Sequence, residues 1–445
     1  MDPLQSPIQP PPLTLQSPQY HAQIPTPSLP EPLVQHHTLS APPPPPPPKP
    51  MRTLARTSSL RSNTSNRSSA AGLASNLMFL DLPLSDPLQL LAEKHLPVEQ
   101  RPIKDGGAID KDRAGEDDYM RELIMTNSWR AVANCARYRI LNTNPLDTRA
   151  LLQLWHTRFV ALKKIRLFHV AATEMQKVVE VVPELARPPF DTAEDRAGAE
   201  IPFELRVGWA RLPAMIGDVG ETIERIWALI VYCKRMKGSA SDSEASRPVW
   251  EYREKQLRLM VVNYLIDLKD FSNATSQMQS LVEEDPTDVS ALEGLLRLDL
   301  QLGNLDHAQS TLARLERLAG EHPSREEQGH LDLHRAFVAI GQGDFQQAKA
   351  LFSKVWESNK ENVLAANNLA VCELYLGHLN SALSILKELV ANYLFTAAGC
   401  EPILFNLCTL YELRYENSIE KKRLVLAEAL PVAGDQFGIE CFKLN

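Results

Sequence analysis

The chain has 445 residues, 33 prolines and a formal net charge of −8. This length suits two or three ordinary domains, or one long repeat array with a tail. The modest acidic charge argues against nucleic acid as a partner. The six cysteines are scattered without a CxxC pair, a pattern typical of reduced core residues in a cytosolic protein. No run approaches the roughly 18 apolar residues of a membrane-spanning helix, so we expect no direct membrane insertion.

Residues 1–80 are predicted to form a disordered arm rich in Pro, Arg and Ser. Its consecutive prolines, Pro42 to Pro48, favour polyproline II, which either serves as a solvated spacer or docks on an aromatic groove. Arg56 and Ser59 have the spacing typical of a site for a basophilic kinase, so phosphorylation of the arm is a hypothesis. The start of the chain lacks the basic and apolar stretches of a secretory signal.

Residues 81–118 are predicted to contain a short apolar segment followed by an acidic linker. The apolar segment, DLPLSDPLQLLAEKHL, is compatible with a docking helix. After the linker, the folded part of the chain is predicted to begin near Tyr119.

Residues 119–248 are predicted to form degenerate helical repeats, because apolar side chains recur there at helical spacing. Thr126 to Ser128 offers a cap between two helices. Further along, Gly217 predicts a turn, and Thr222 replaces the small residue that opens the following helix in a regular repeat. The sequence alone leaves the phase of the first repeats unassigned. Together with the rest of the chain, this region predicts about seven helix pairs.

Residues 249–445 are predicted to form tetratricopeptide repeats with a C-terminal cap. The turn positions follow one another at steps of 34, 40 and 34 residues, and are Lys269, Gly303, Gly343 and Gly377. A small residue opens each second helix, at Ala274, Ala308, Ala348 and Ala382. Such helix pairs bury their apolar faces only by stacking on neighbours. The predicted fold is therefore all-α, a tetratricopeptide-repeat-like α-solenoid in which antiparallel helix pairs form a right-handed superhelix.

Two departures from the regular repeat are visible near the C-terminus. The long step of 40 residues contains a polar insertion, Glu321 to Gln328, which is predicted to lengthen a connecting loop. The last repeat lacks the Gly turn and carries charged residues, so its outer face is predicted to be polar and to have no neighbour.

The sequence contains no recognisable catalytic constellation and no phosphate-binding or dinucleotide-binding motif. His330 and His334 have the spacing of metal ligands on a helix, but the Glu of an HExxH motif and a third ligand are missing. We therefore predict no enzyme activity, no cofactor and no metal site.

Because the sequence shows no catalytic or metal-binding motif, we predict that the repeats bind other proteins. Candidate partner-binding residues on the first helices of two repeats are Asn367, Val371, Tyr375, Thr409 and Glu412. The alternative is that these side chains contact only water or the next helix. No repeat combines the Lys and Asn with which chaperone adaptors of this class hold a terminal carboxylate. This argues against a chaperone clamp and favours packing against another subunit.

Several phrases resemble one known family. LAANNLAVCELYLGHLNSALSILKEL, IPFELRVGWARL and FNLCTLYEL are similar to the subunit 12 family of the trafficking protein particle (TRAPP) complex, a vesicle-tethering assembly. The resemblance implies assembly with other TRAPP subunits and indirect contact with a Rab-type GTPase and vesicle membranes. It also implies a cytoplasmic protein at Golgi and ER–Golgi intermediate membranes that acts in ER-to-Golgi transport and in autophagy.

In that family, nucleotide exchange resides in small core subunits, so the resemblance implies an accessory scaffold for this chain. A second interpretation uses the arm instead of the repeats. The chain would then be a free tetratricopeptide adaptor that recruits signalling proteins through its Pro-rich, phosphorylatable arm.

Overall fold

The computed structural model describes residues 72–83, 86–101, 107–186, 201–239, 247–435 and 437–444. Within these ranges the regular structure is entirely helical, and none of them contains a β-strand. The predictions for the proline tract and for the Arg/Ser-rich part of the arm lie outside the described residues.

The N-terminal half contains seven α-helices in the described ranges. They are α1 (Pro87–His95), α2 (Asp117–Met125), α3 (Trp129–Asn142), α4 (Thr148–Lys164), α5 (Phe168–Val181), α6 (Phe203–Met215) and α7 (Val219–Ser239). The C-terminal half contains eleven more. They are α8 (Arg247–Asp267), α9 (Phe271–Glu284), α10 (Val289–Leu302), α11 (Leu305–Ala319), α12 (Arg325–Gly341), α13 (Phe345–Ser358), α14 (Val363–Tyr375), α15 (Leu379–Asn392), α16 (Leu394–Ala398), α17 (Glu401–Arg414) and α18 (Ile419–Ala429).

Successive helices pack against each other along the chain, as the repeat pattern predicts. With α1 and the short α16 set aside, the described helices form eight pairs, from α2 with α3 to α17 with α18. This is one pair more than the sequence predicts. The all-α tetratricopeptide-repeat architecture predicted from the sequence is confirmed.

The turns inside the four clearest repeats have one backbone geometry. Lys269, Gly303, Gly343 and Gly377 all have a positive φ, between 63° and 85°. After each turn, an N–H donates to a carbonyl oxygen five residues back, as from Asn304 to Asp299 at 2.8 Å. This bond satisfies a carbonyl at the end of the preceding helix and reverses the chain. The predicted turn positions are confirmed, and at Lys269 a residue with a side chain adopts the conformation that glycine favours.

The same turn occurs three times in the degenerate repeats. Asn127, Arg166 and Gly217 have φ values of 54°, 59° and 102°. The predicted turn at Gly217 is therefore confirmed. The turns at Asn127 and Arg166 define where the first repeats begin and end. The sequence leaves this phase open, because neither position holds the glycine that identifies such a turn.

The small-residue positions lie where paired helices come closest. All four predicted alanines are fully buried, namely Ala274, Ala308, Ala348 and Ala382. Thr222 takes this role in the pair α6 and α7, where it is fully buried and its hydroxyl accepts a hydrogen bond from the Ala214 N–H at 2.7 Å. The hydroxyl is therefore satisfied, and a polar residue occupies the close contact.

The polar insertion lengthens a helix as well as a loop. Only residues 320–324 connect α11 to α12, because α12 already begins at Arg325. Ser324 and Glu327 form a capping box at this point, in which each side chain accepts a hydrogen bond from the backbone N–H of the other. A capping box satisfies free N–H groups and so favours a helix start. The predicted loop from Glu321 to Gln328 is therefore too long.

Part of the segment that is predicted to belong to the disordered arm packs against the degenerate repeats. Leu73 and Phe79 are buried, and the Phe79 ring stacks on Trp155 with ring centroids 4.8 Å apart. The indole N–H of Trp155 donates to the Leu73 carbonyl at 3.2 Å. The packed part of the chain therefore extends N-terminal to Tyr119.

Helix α1 packs against the opposite end of the array. It contacts α18 and the short 3₁₀ helix Ile439–Phe442. Leu88 and Leu91 of α1 belong to the same buried cluster as Val425 and Leu426 of α18. The predicted polar outer face of the last repeat is wrong, because α1 supplies an apolar neighbour that lies far away in the sequence.

Candidate interaction surface

The residues that the sequence predicts for partner binding lie on the first helices of two pairs. Three of them lie on α14 and two on α17, and these two helices pack directly against each other. We call the set the first-helix surface, and its members are Asn367, Val371, Tyr375, Thr409 and Glu412. The structure gives its members different environments.

Asn367 is almost completely buried between α14 and α17. Its side-chain oxygen accepts a hydrogen bond from the Asn406 amide of α17 at 2.7 Å. The bond joins the first helices of consecutive pairs and satisfies part of a buried amide. In the isolated chain, Asn367 therefore links two repeats.

Val371 and Tyr375 lie further along α14. Val371 is partly exposed, and 49% of the Tyr375 surface is accessible. The Tyr375 ring stacks on Phe345 of α13, with centroids 4.4 Å apart and planes 3° apart. This stack holds a large, amphipathic ring in one orientation at the surface, which is the kind of group that forms binding hot spots.

Thr409 and Glu412 on α17 contact the C-terminal segment of the same chain. The Lys443 ammonium donates to the Thr409 hydroxyl at 3.2 Å and forms an ion pair with Glu412. Glu412 also pairs with the buried Lys422 of α18. Burial by itself would raise the pKa of Glu412, but hydrogen bonds from Lys422 and Lys443 lower it below the usual value. Glu412 is therefore an ionised acid with two cationic partners inside the chain.

An aromatic side chain beside these residues completes the surface. Phe405 of α17 is 45% exposed, and the Lys443 ammonium lies 5.2 Å from the centre of its ring. Such a cation–aromatic contact orders both groups. Phe405 is not among the residues that the sequence predicts for partner binding. Its exposure depends on tertiary packing.

The two histidines with metal-ligand spacing lie next to one acid on α10. His334 Nε2 is 3.1 Å from a Glu293 carboxylate oxygen, and His330 Nδ1 is 3.9 Å from it. Burial opposes ionisation of Glu293, but its hydrogen bond with His334 lowers its pKa below the usual value. Among the described residues, no group of three or more His, Cys, Asp or Glu side chains could hold a metal ion.

The cysteines are free thiols, and most of them lie in the helical core. Burial raises the pKa of Cys233 to about 12, that of Cys372 to about 11 and that of Cys408 to about 12. Because the thiolate is the nucleophile, these groups are unreactive near neutral pH. Their role is packing.

One cavity of 220 Å³ opens between α6 and α7. Trp209 and Leu229 contribute to its apolar wall, and the Arg225 guanidinium lies over the Trp209 ring, 3.9 Å from its centre. An ion pair with Glu221 occupies that guanidinium.

In the described part of the chain, no helix is long and apolar enough to cross a membrane.

One family comparison agrees with the repeat geometry. A family model described as tetratricopeptide repeat matches residues 339–397, which run from the end of α12 into α16. A solved structure titled "Crystal structure of YrrB: a TPR protein with an unusual peptide-binding site" is 16% identical and superposes with a TM-score of 0.26 over 39% of this chain and 84% of that one.

Two relatives share one name. The human trafficking protein particle complex subunit 12 is 27% identical over 391 residues, covering 80% of this chain and 51% of the relative. The mouse protein of that name is 26% identical over 388 residues, covering 80% of this chain and 47% of the relative. The chain therefore spans about half the length of the relatives that it matches. Residues 339–397 of this chain match the tetratricopeptide-repeat family, and four fifths of the chain is similar to trafficking protein particle complex subunit 12.

Proposed function

We propose that this chain is a non-catalytic scaffold subunit of a TRAPP-type vesicle-tethering assembly and binds other subunits through its repeats. The observation that carries the proposal is the similarity to subunit 12 over 80% of the chain. Among the described residues, no group of three or more His, Cys, Asp or Glu side chains could hold a catalytic metal ion, and burial raises the pKa of the Cys233 thiol. We further propose that the chain is cytoplasmic and associates with Golgi and ER–Golgi intermediate membranes. Its role there would be in ER-to-Golgi transport and autophagy. A Rab-type GTPase is then an indirect partner.

The first-helix surface and the adjacent Phe405 supply the contact in this proposal. Val371, Tyr375 and Phe405 are accessible, and the latter two are held by ring contacts within the chain. Exposed, oriented aromatic side chains with apolar neighbours suit the centre of an interface. A stable contact needs about 1,000 Å² or more of buried surface, which requires several repeats. Thr409 and Glu412 would contribute at the rim, where Lys443 already engages them.

The test is affinity purification of the tagged full chain from cells, with the co-purifying proteins identified by mass spectrometry. We expect TRAPP subunits in stoichiometric amounts. The double variant Tyr375→Ala, Phe405→Ala should recover at least about tenfold less of them. The matched control is Phe395→Ala on α16, which removes a ring that is 66% exposed and lies outside the first-helix surface. Recovery of no trafficking proteins with the wild-type chain contradicts the proposal.

A deletion separates the scaffold from the arm-driven adaptor. The deletion must end at residue 71, because Leu73 and Phe79 are buried against the repeats. A scaffold retains its co-purifying subunits after this deletion. Loss of every partner, with the thermal stability unchanged, identifies the free adaptor instead.

A further inference from the structure

A site on α17 that suits an ammonium group is filled by a lysine of the same chain. Phe405, Thr409 and Glu412 follow one another at steps of four and three residues on α17, so they lie on one face of the helix. The Lys443 ammonium lies 5.2 Å from the centre of the Phe405 ring, donates to the Thr409 hydroxyl at 3.2 Å and forms an ion pair with Glu412. A ring face, a hydroxyl oxygen and a carboxylate all attract a cation. We call these three residues of α17 the ammonium site.

The ammonium site is open to the surface. The side chain of Lys443 is 26% exposed and that of Glu412 is 36% exposed, and the Phe405 ring is also accessible. Thr409 and Glu412 belong to the first-helix surface as well, so the two surfaces overlap. A partner that covers the first-helix surface therefore reaches the ammonium site while α14 and α17 stay folded.

Lys443 occupies the site with an unfavourable backbone conformation. It ends the 3₁₀ helix Ile439–Phe442 with φ 51° and ψ 37°, in the left-handed region that Gly or Asn usually adopts. Among the described residues, the other non-glycine residues with a positive φ lie in turns between helices, namely Asn127, Arg166 and Lys269. This conformation is unfavourable for a residue with a Cβ atom, so the contacts of the Lys443 side chain offset a local cost. Release of Lys443 would relieve that cost.

A second lysine keeps the site ready when Lys443 leaves. The buried Lys422 of α18 forms an ion pair with Glu412, and its ammonium donates to the Lys443 carbonyl at 3.1 Å. Because Lys422 is anchored in the core, it continues to hold the Glu412 carboxylate ionised and in place. The ammonium site is therefore preorganised for another cation, which lowers the cost of binding one.

We propose that Lys443 is an internal substitute for a lysine of a partner subunit, which displaces it from the ammonium site when the complex forms. The exchange replaces one ammonium group by another, so Glu412 keeps its charge partner when the surface is covered. The partner also buries Val371, Tyr375 and Phe405, and this apolar burial drives the exchange. The net charge of −8 favours a basic partner segment. The inference rests on the proposed function, because it names the chemistry of one partner contact.

Competition between two lysines makes a prediction that a purely structural role of Lys443 does not make. Lys443→Met keeps the aliphatic stem and removes the competing cation, so the chain should recover about threefold more TRAPP subunits at equal expression. If Lys443 only stabilises the fold, the variant recovers the same amount or less. The matched control is Lys387→Met, which removes an exposed lysine of α15 outside the site and should recover as much as the wild type does.

The experiment that observes the exchange directly is zero-length cross-linking of the wild-type full chain with a carbodiimide. This reagent joins a carboxylate to an amine that touches it, and mass spectrometry identifies the linked peptides. In the free chain we expect a link from Glu412 to Lys443. In the complex purified from cells, this link should fall by at least about fivefold, and Glu412 should be linked to a lysine of another subunit. The control is the ion pair of Lys255 and Asp288, whose link should have the same yield in both samples.

Each other outcome counts against the inference. Persistence of the link between Glu412 and Lys443 at its free-chain yield in the complex overturns it, and so does a fall in recovery with Lys443→Met at unchanged thermal stability. If Lys443→Met fails to fold, the cross-linking of the wild-type chain decides. A Glu412 link between two copies of this chain, seen as a dimer on a denaturing gel, also overturns it.

The proposed function fails by a different result. Should TRAPP subunits co-purify with the wild-type chain while Glu412 stays linked to Lys443, this inference fails and the proposed function stands. Loss of all TRAPP subunits from the wild-type purification removes the proposed function instead.

Discussion

The backbone N–H of Arg130 donates to a carboxylate oxygen of Asp435 at 2.8 Å, across 305 residues of the chain. The N–H of Asp435 in turn donates to the Asn127 carbonyl at 3.3 Å. Arg166, in the turn between α4 and α5, forms a second link to the C-terminal end of the array through an ion pair at 3.3 Å with Glu401, the first residue of α17. The start of the first repeats is therefore held against the segment that follows the last helix. This contact is independent of the packing of α1 on α18.

The contact at Asn127 leaves no room for a side chain at Gly434. A Cβ at this position would lie 2.5 Å from the Asn127 Cβ and 3.1 Å from the Asn127 carbonyl oxygen. We expect Gly434→Ala to separate the two segments and to lower the free energy of unfolding by about 1–3 kcal/mol, because neither neighbour can move freely. Hydrogen exchange should show faster exchange of the Arg130 amide.

The matched control for this variant is Gly329→Ala within α12. A Cβ there meets nothing within 4 Å, and alanine is the better helix former by about 1 kcal/mol. The control should therefore retain or raise the melting temperature. Unchanged exchange at Arg130 in Gly434→Ala would contradict the described contact.

Two leucines of α1 test whether this helix stabilises the C-terminal end of the array. Leu88 is fully buried, whereas Leu90 is 55% exposed. We expect Leu88→Ala to lower the free energy of unfolding by about 2–4 kcal/mol, because it removes buried methyl groups and leaves a cavity. Leu90→Ala should change it by less than about 0.5 kcal/mol. Chemical denaturation measures both, and equal effects would show that α1 does not pack in solution.

The packing of α1 should weaken in acid. Burial, followed by the charges of Lys94 and Arg423, lowers the pKa of His95 below its ordinary value of 6.5. The packed state binds this proton less readily than unpacked α1 does. The resulting stabilisation of the packed state is therefore present above pH 6.5 and declines as the pH falls. Hydrogen exchange of α1 at about pH 7 and about pH 5.5, corrected for intrinsic rates, should show the loss of protection.

The control for this pH effect is His95→Gln, which keeps a polar side chain but cannot be protonated. Its α1 should show the same corrected protection at both pH values. A wild-type pH dependence that persists unchanged in this variant would assign the effect to other groups.

A buried ion pair should dominate the stability of the degenerate repeats. Arg158 and Glu174 are fully buried and form two hydrogen bonds of 2.6 Å, and Glu174 also accepts from the Leu80 N–H at 2.8 Å. Arg158→Met leaves an unpaired carboxylate in the core, so we expect a loss of about 3–5 kcal/mol in the free energy of unfolding. Calorimetry or denaturation with urea would measure it.

The exposed pair of Arg121 and Asp118 provides the comparison. These groups are 2.9 Å apart, but both side chains lie in water. Arg121→Met should therefore cost at most about 1 kcal/mol. A similar loss for both variants would contradict the role of burial.

Much of the repeat architecture could be predicted because it depends on local rules. A small residue at Ala382 permits two helices to approach, and Gly377 adopts a positive φ that ends a helix. Where the same turn uses Arg166, the backbone geometry is unchanged but the sequence signal is lost. The sequence could place the candidate partner-binding residues on helices, but it could not show which of them are buried or paired within the chain. The packing of α17 on α14 buries Asn367, and the folding of the C-terminal segment brings Lys443 to Glu412.

The sequence by itself therefore determined the helical repeats, their turns and their family resemblance, because periodicity and turn chemistry act between residues close together in the chain. Tertiary structure alone decided that α1 covers α18 and that Arg130 meets Asp435. These contacts join residues whose separation along the chain carries no periodic signal. They follow from the way in which all the pairs stack.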